Sequence, residues 1–298
     1  MCLNGRAARP KRHLVDRLTE VYRTMEIKVL GPLSVEACGQ SIVPSAGKPR
    51  QILALLSVYA NQMLPVPTLM EEIWGAQMPR SALTTLQTYI LQLRRRLAVA
   101  YGPQAPEASK SVLATRYGGY VLEAQPGAVD IHEYDRLVAA GRDALDVGDD
   151  VEASFLFREA LAVWRGPALV DVRVGPILEI ELARLEESRL GVLERRIEAD
   201  LRLGRHAELL TELTELTARH PLHEGLHAQC MAALYRSGRP WQALEVYQGL
   251  RGRLVEDLGL EPSPRLQKLQ QAVLASDPAL DLEPGGQWRR PVLDLFAA

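Results

Sequence analysis

Gly148, Gly204 and Gly238 each stand five residues before a small or aliphatic residue (Ala153, Leu209, Ala243) and nine before an apolar one (Phe157, Leu213, Tyr247). The last two glycines are 34 residues apart. That is the period of helix-turn-helix tetratricopeptide repeats, in which each hairpin must bury its apolar face on the next. The first interval, 56 residues, is longer, and its excess holds Trp164-Arg165-Gly166-Pro167 and Gly175-Pro176, so one repeat carries an insertion. From Asp130 to about Ala275 the periodicity is helical almost throughout, and this half is expected to be nearly all α.

The front half has a different rhythm. From Glu26 to Val43 apolar and polar residues alternate around Gly31-Pro32 and Cys38-Gly39, which reads as short antiparallel strands with tight turns. Pro49 suits a first helical turn, and Ile52, Leu53, Leu55, Leu56 and Tyr59 give a first helix through about Met63, stopped by Pro65 and Pro67. Leu69, Met70, Ile73 and Trp74 mark a short second helix ending at Gly75. Ser81 is placed to cap a third, in which Leu83, Leu86, Ile90, Leu93 and Leu97 recur at three- and four-residue steps. After a loop from Gly102 to Lys110, residues 112–122 read as a hairpin with Gly118 and Gly119 at its tip, and Pro126-Gly127 is a linker. The expected fold class is therefore mainly α: a winged helix-turn-helix with small antiparallel β elements over 25–125, then an all-α helical-repeat domain over 130–275. Residues 1–24 read as a basic extension outside the fold signal, with Met25 a candidate start, and 276–298 as a loosely attached, flexible tail.

Composition narrows the function classes. A 298-residue chain with 47% hydrophobic and 24% charged residues is long enough for two globular domains and is neither disordered nor a disulfide scaffold. Three widely spaced cysteines, Cys2, Cys38 and Cys230, fit reduced thiols in the cytoplasm. The longest uncharged stretch, Gln51 to Met70, contains Asn61, Gln62, Pro65 and Pro67, and reads as no membrane span. The basic first 24 residues have no apolar segment and no cleavage pattern, so no secretory signal is expected. The net charge of −2 conceals an asymmetry: residues 26–125 carry nine Lys/Arg against six Asp/Glu, and 126–280 carry eighteen against twenty-six. A basic front implies a polyanionic partner there, and an acidic rear another task.

The third helix is where that partner would be met. Opposite its apolar face, Thr84, Thr88 and Gln92 stack at four-residue spacing, with Thr85 and Tyr89 beside them and Arg94, Arg95 and Arg96 following. Threonine and glutamine suit base edges and arginines suit phosphates, which is what reading a major groove requires. The plain alternative is a solvated face whose arginines complement the helix C-terminus. A hairpin beside that helix puts Arg116 within reach of phosphate or the minor groove, and Lys48 and Arg50 at the start of the first helix are positioned for further phosphate contacts.

One motif points elsewhere. His223-Glu224-Gly225-Leu226-His227 matches the zinc-peptidase spelling of two imidazoles one helical turn apart with a glutamate base, with Glu245 an imaginable third ligand. Its setting argues against that reading. It follows Pro221 between repeat units, Leu222, Leu226, Met231, Leu234 and Tyr235 are explained by repeat packing, and Gly225 weakens the helix that would hold the ligands. No phosphate loop, dinucleotide fingerprint or nucleophile elbow occurs. No enzyme activity, metal or cofactor is expected, and Trp164, Trp241 and Tyr247 read as packing residues.

Several segments resemble a known family. Ile27-Lys-Val-Leu-Gly-Pro-Leu-Ser-Val, Gly47-Lys-Pro-Arg-Gln-Ile-Leu-Ala-Leu-Leu, Leu86-Gln-Thr-Tyr-Ile-Leu-Gln-Leu-Arg-Arg-Arg-Leu97 and Arg116-Tyr-Gly-Gly-Tyr are similar to the OmpR-type winged helix. Trp164-Arg-Gly, Pro221-Leu-His-Glu, Ala233-Leu-Tyr-Arg-Ser-Gly-Arg239 and Leu254-x-x-x-Leu-Gly-x-x-Pro262 resemble the bacterial transcriptional activation domain. Over about Met25 to Leu274 the chain resembles a small Streptomyces antibiotic regulatory protein (SARP). The resemblance implies a cytoplasmic, pathway-specific activator of secondary-metabolite genes that binds direct repeats in double-stranded DNA as a homo-oligomer and recruits RNA polymerase holoenzyme. It implies Thr84, Thr88 and Gln92 as base readers, Tyr89, Arg94, Arg95 and Arg96 as backbone contacts, and a polymerase-touching loop from Gly75 to Arg80. No receiver domain precedes the winged helix, so phosphorylation control is not implied. The rival reading is a helical-repeat adaptor whose winged helix meets only protein.

Overall fold

In the computed structural model, which describes residues 25–102 and 107–280, the alternation after Met25 becomes a three-stranded antiparallel sheet. β1 (Met25–Lys28) pairs with β2 (Ser34–Ala37) in the register Ile27↔Val35, and β2 with β3 (Gln40–Ser41). Ile27, Val35 and Ala37 point inward, fully buried. Both Cys38 and Gly39 at the β2–β3 turn have positive φ (50° and 73°), the twist a two-residue hairpin turn demands. The basic extension expected over 1–24 and the tail over 281–298 lie outside the described residues.

Three helices follow: α1 (Gly47–Val58), α2 (Val66–Trp74) and α3 (Ala82–Tyr101). The first is shorter than its periodicity predicts. It stops at Val58 because Asn61 turns into the left-handed region (φ 66°) and Leu64–Pro65 forms a strand, β4. Pro67, read as a helix stop, sits in the first turn of α2, where a missing N–H costs nothing. Ser81 does precede α3, but its side chain makes no capping hydrogen bond. The loop expected over 102–110 contains the start of a short helix, α4 (Ala108–Val112), and Val112 belongs to it rather than to the hairpin. The wing itself is β5 (Leu113–Arg116) and β6 (Gly119–Leu122), and β4 joins it as a third strand on the β6 side. Only a glycine fits at 119, since a Cβ there would overlap the Leu64 carbonyl.

The described chain divides into two units that do not follow chain order: one holds residues up to Arg136 together with Ala162–Ser188, the other Leu137–Leu161 and everything from Arg189. The segment read as a repeat insertion therefore completes the winged-helix unit. Its necessity is a matter of hydrogen bonds, because main-chain groups past the end of β1 have no strand partner and must find one when buried. Asp130 accepts from Val29 N (2.8 Å) and Leu30 N (2.9 Å). Arg165 N donates to Leu30 O (2.8 Å), and Leu169 N donates to Gly31 O (2.7 Å). Asp171 accepts from Leu33 N (2.8 Å). Trp164 packs edge-on against Tyr134, ring centroids 5.7 Å apart. Glu72, buried on α2, accepts from Gly175 N (2.6 Å), Ile177 N (2.9 Å) and Leu178 N (3.0 Å), so its carboxylate caps the helix that opens at Pro176. Gln51 Nε2 donates to the same carboxylate (2.9 Å).

The helices of the rear half are α5 (Asp130–Asp146), α6 (Asp150–Ala162), α7 (Pro176–Arg202), α8 (His206–Arg219), α9 (Glu224–Arg236), α10 (Pro240–Leu258) and α11 (Pro264–Ala275). In the second unit, Gly148, Gly204 and Gly238 all take left-handed φ (81°, 78°, 73°) at the turns α5–α6, α7–α8 and α9–α10. Ala153, Leu209 and Ala243 are buried behind them, as are Phe157, Leu213 and Tyr247 one helical turn later. The Phe157 ring lies so near Gly141 that a Cβ would sit 2.7 Å from it. The tail read as loose from 276 is ordered as far as a 3-10 turn, Pro278–Leu280. Leu280 is buried, and its carbonyl accepts from Arg236 Nε (3.0 Å). Among the described residues no helix is long and apolar enough to cross a membrane.

Candidate nucleic-acid interface

The α3 helix presents two faces that the same spacing generates. Leu86, Ile90, Leu93 and Leu97 are at most 1% exposed, while Thr84, Thr88, Leu91 and Arg95, offset by two residues and so on the opposite side, are all exposed. Ala82, not Leu83, continues the buried face; Leu83, expected in the core, is 48% exposed. Gln92 is exposed beside Leu91 and Arg95, and Thr85 and Tyr89 are half-buried at the edge of the face. The Thr88 hydroxyl donates to Thr84 O (2.9 Å), which leaves its lone pairs outward as acceptors. Between Glu72 and Glu107 the sequence holds no acidic residue, so nothing on α3 opposes a polyanion.

The three arginines divide by role. Arg94 is half-buried. Its Nε and Nη2 donate to Leu113 O (2.9 and 2.7 Å) and Nη2 to the Thr115 hydroxyl (2.7 Å), with the Tyr120 ring 5.9 Å below. Its guanidinium thereby ties the wing to α3, a positioning role that stands beside the expected backbone contact. Arg95 is exposed, and among the described residues no carboxylate pairs with it. Arg96 is exposed and reaches Val43 O at 3.4 Å. Because α3 runs on to Tyr101, none of the three lies in its last turn, so the helix C-terminus does not account for them.

Elsewhere the expected phosphate contacts are engaged within the unit. Arg116 pairs with Glu123 (2.8 Å) across the wing, Arg50 pairs with Asp171, and Lys48 Nζ stands 5.2 Å from the centroid of the Trp74 ring. Tyr117 at the wing tip is fully exposed. Neither it nor the exposed Gln87 and Leu91 was among the residues expected at the interface; the two-residue offset from the buried positions is the signal that finds Leu91. The candidate interface is the outward stripe of α3, Arg95 and Arg96, and a wing whose tip carries Tyr117 beside Arg116.

The zinc-peptidase spelling has structural employment instead. His223 is the extended residue before α9, and its Nδ1 accepts from Leu226 N (3.4 Å). His227 is buried, with its Nδ1 3.0 Å from His223 O, and burial holds its pKa below the ordinary histidine value. Glu224 accepts from Ser263 N (2.9 Å). Among the described residues no group of three or more His, Cys, Asp or Glu side chains is arranged to hold a metal ion.

Residues 129–274 match the model of the bacterial transcriptional activator domain, and 39–122 match that of the C-terminal domain of transcriptional regulatory proteins. The chain is 56% identical over 257 residues to the regulatory protein DnrI of Streptomyces peucetius, covering 86% of this chain and 94% of that one. It is 38% identical to the regulatory protein AfsR of Streptomyces coelicolor over 85% of its length, spanning 24% of that longer protein. Among solved structures it is similar to Mycobacterium tuberculosis EmbR in complex with a low affinity phosphopeptide. That match has a TM-score of 0.79 and 31% identity, and covers 86% of this chain and 66% of that one.

Proposed function

Because the chain belongs to the Streptomyces antibiotic regulatory protein (SARP) family of transcriptional activators, we propose that it acts by reading promoter DNA with α3 while its helical-repeat half organises neighbouring copies or adds to the contact with polymerase. The observation that carries this reading is the stripe opposite the α3 core. It is free of acidic residues, it pairs hydroxyl groups with an unopposed Arg95, and it stands beside a wing that Arg94 holds in place. Thr84, Thr88 and Gln92 read base edges in the major groove, and Arg95 and Arg96 take phosphates. Arg116, Lys48 and Arg50 take phosphates as well, in competition with the partners they hold within the unit. Copies bound to direct repeats one helical turn apart lie on one face of the duplex, so contact between neighbours couples their binding, and RNA polymerase holoenzyme is the partner beyond DNA. The loop from Gly75 to Arg80 is the surface assigned to polymerase. The genes served are those of a secondary-metabolite cluster.

Footprinting and titration on the promoters neighbouring the protein's own gene test the reading. Affinity is expected to fall steeply with salt, because each phosphate neutralised releases counterions. Arg95→Ala should weaken binding to every sequence about equally and lower the salt slope by roughly one. Gln92→Ala should relax preference at one or two base positions by about 1–3 kcal/mol. Equal loss on specific and random duplexes would remove Gln92 from base reading. No shift with any promoter fragment would favour an adaptor that meets only protein.

A further inference from the structure

Leu91 is the apolar member of the stripe between Thr84 and Arg95. It is 48% exposed and lies between Thr88 and Arg95 on the side of α3 directly opposite Leu86, Ile90, Leu93 and Leu97. A single exposed leucine is ordinary on a protein surface. This one stands at the centre of the face that, on the reading proposed above, enters the major groove. There the apolar feature that distinguishes one base pair from another is the 5-methyl group of thymine, and aliphatic side chains are its natural complement. A leucine buried against a cytosine amino group or a guanine carbonyl would desolvate a polar edge without pairing it, which disfavours those bases at that position.

We infer that Leu91 selects thymine at one operator position by packing on its 5-methyl group. Leu91 is about 4.5 Å along the helix axis from Thr88 and about 6 Å from Arg95, so the methyl belongs to a base pair next to those the threonines and Gln92 read. This deepens the major-groove reading and rests on it.

The test uses the full chain and the tightest duplex it selects from a random-sequence pool, with each thymine replaced in turn by deoxyuridine, which removes the methyl group alone. Wild-type protein is expected to lose about three- to fivefold in affinity at one thymine, the equivalent of one methyl group returned to water. Leu91→Ala, which leaves the core untouched and should melt like the wild type, is expected to bind the thymine and uracil duplexes equally. Uracil scanning that costs the wild type nothing at any position, or a Leu91→Ala protein that keeps the full uracil penalty, overturns the assignment while leaving DNA binding by α3 intact. If no sequence-selective duplex emerges from the pool, the major-groove reading itself fails and takes this one with it.

Discussion

Glu72→Ala is expected to lower the stability of the winged-helix unit by about 3–5 kcal/mol. The carboxylate is 2% exposed and accepts from three consecutive-turn amides, those of Gly175, Ile177 and Leu178, and from the Gln51 side chain. Truncation leaves the Gly175, Ile177 and Leu178 amides without that acceptor, each costing about 1–3 kcal/mol unless water reaches it, and it removes a negative charge from a helix N-terminus, while Gln51 Nε2 keeps the Glu72 main-chain carbonyl (2.7 Å). The space offers little relief, because the Gly175 backbone lies so close that a Cβ there would overlap the Glu72 carbonyl. For a unit of this size the melting midpoint should drop by roughly 10–17 °C. Glu72→Gln keeps the volume and one acceptor oxygen, and should recover part of the loss. A scanning-calorimetry midpoint within two degrees of wild type for the alanine variant would show that the carboxylate does not hold the 162–188 segment in place.

In the helical-repeat unit the corresponding centre is Asp200, which is fully buried. It accepts from the Ser154 hydroxyl (2.7 Å) and from Arg158 (2.8 Å), Arg205 (2.8 Å) and Arg196 (3.2 Å). Removing one member of a buried ionic cluster costs about 3–5 kcal/mol when its partners stay buried. Here the Arg158 and Arg205 side chains are 52% and 37% exposed and can return to water, while Arg196, 7% exposed, keeps Glu212. Asp200→Ala is therefore expected to cost about 2–4 kcal/mol, read as a shift of the urea midpoint. Burial alone would raise the Asp200 pKa, but the hydrogen bonds from Ser154, Arg158 and Arg205 outweigh it and hold it below the ordinary carboxylate value. The stabilisation is thus complete above that ordinary value and is lost as pH falls through the lowered native one. Asp200→Asn should be less stable near neutrality and flatten the acid limb of the stability profile. An unchanged limb would mean that Asp200 is not among the groups that set it.

How far the residues announced these features varies with the range of the interaction. The three repeat glycines and the residues five and nine places after them were legible because turn chemistry and helical spacing act within a dozen residues. The α3 helix was legible for the same reason, with one instructive slip. Positions 82 and 83 both lie one turn from Leu86, and a leucine outweighs an alanine in any reading by hydropathy, yet the helix axis turns Ala82 inward and leaves Leu83 in the open. The end of α1 at Val58 was not legible, because it depends on Leu64 pairing with Tyr120, more than fifty residues away.

The candidate interface shows the same division at the level of single charges. That the stretch from Ile73 to Pro106 is basic and free of carboxylates is a property of composition, and it survives any packing. Which of its arginines is available is not. Arg94 is occupied by Leu113 and Thr115, Arg116 by Glu123 and Arg50 by Asp171, and a guanidinium bonded within the fold looks in sequence like one that faces solvent.

Local periodicity, turn residues and charge were enough to specify a winged helix followed by helical repeats and the two-faced helix proposed to meet DNA, since each depends on neighbours along the chain. Where the first unit ends was settled by packing alone. The amides of Val29, Leu30 and Leu33, left over at the strand ends, required acceptors, and the residues that satisfy them, Asp130 and Asp171, come from beyond the linker at Pro126-Gly127. A buried donor without a partner is too costly to leave, and the chain meets that demand with residues a hundred or more positions away.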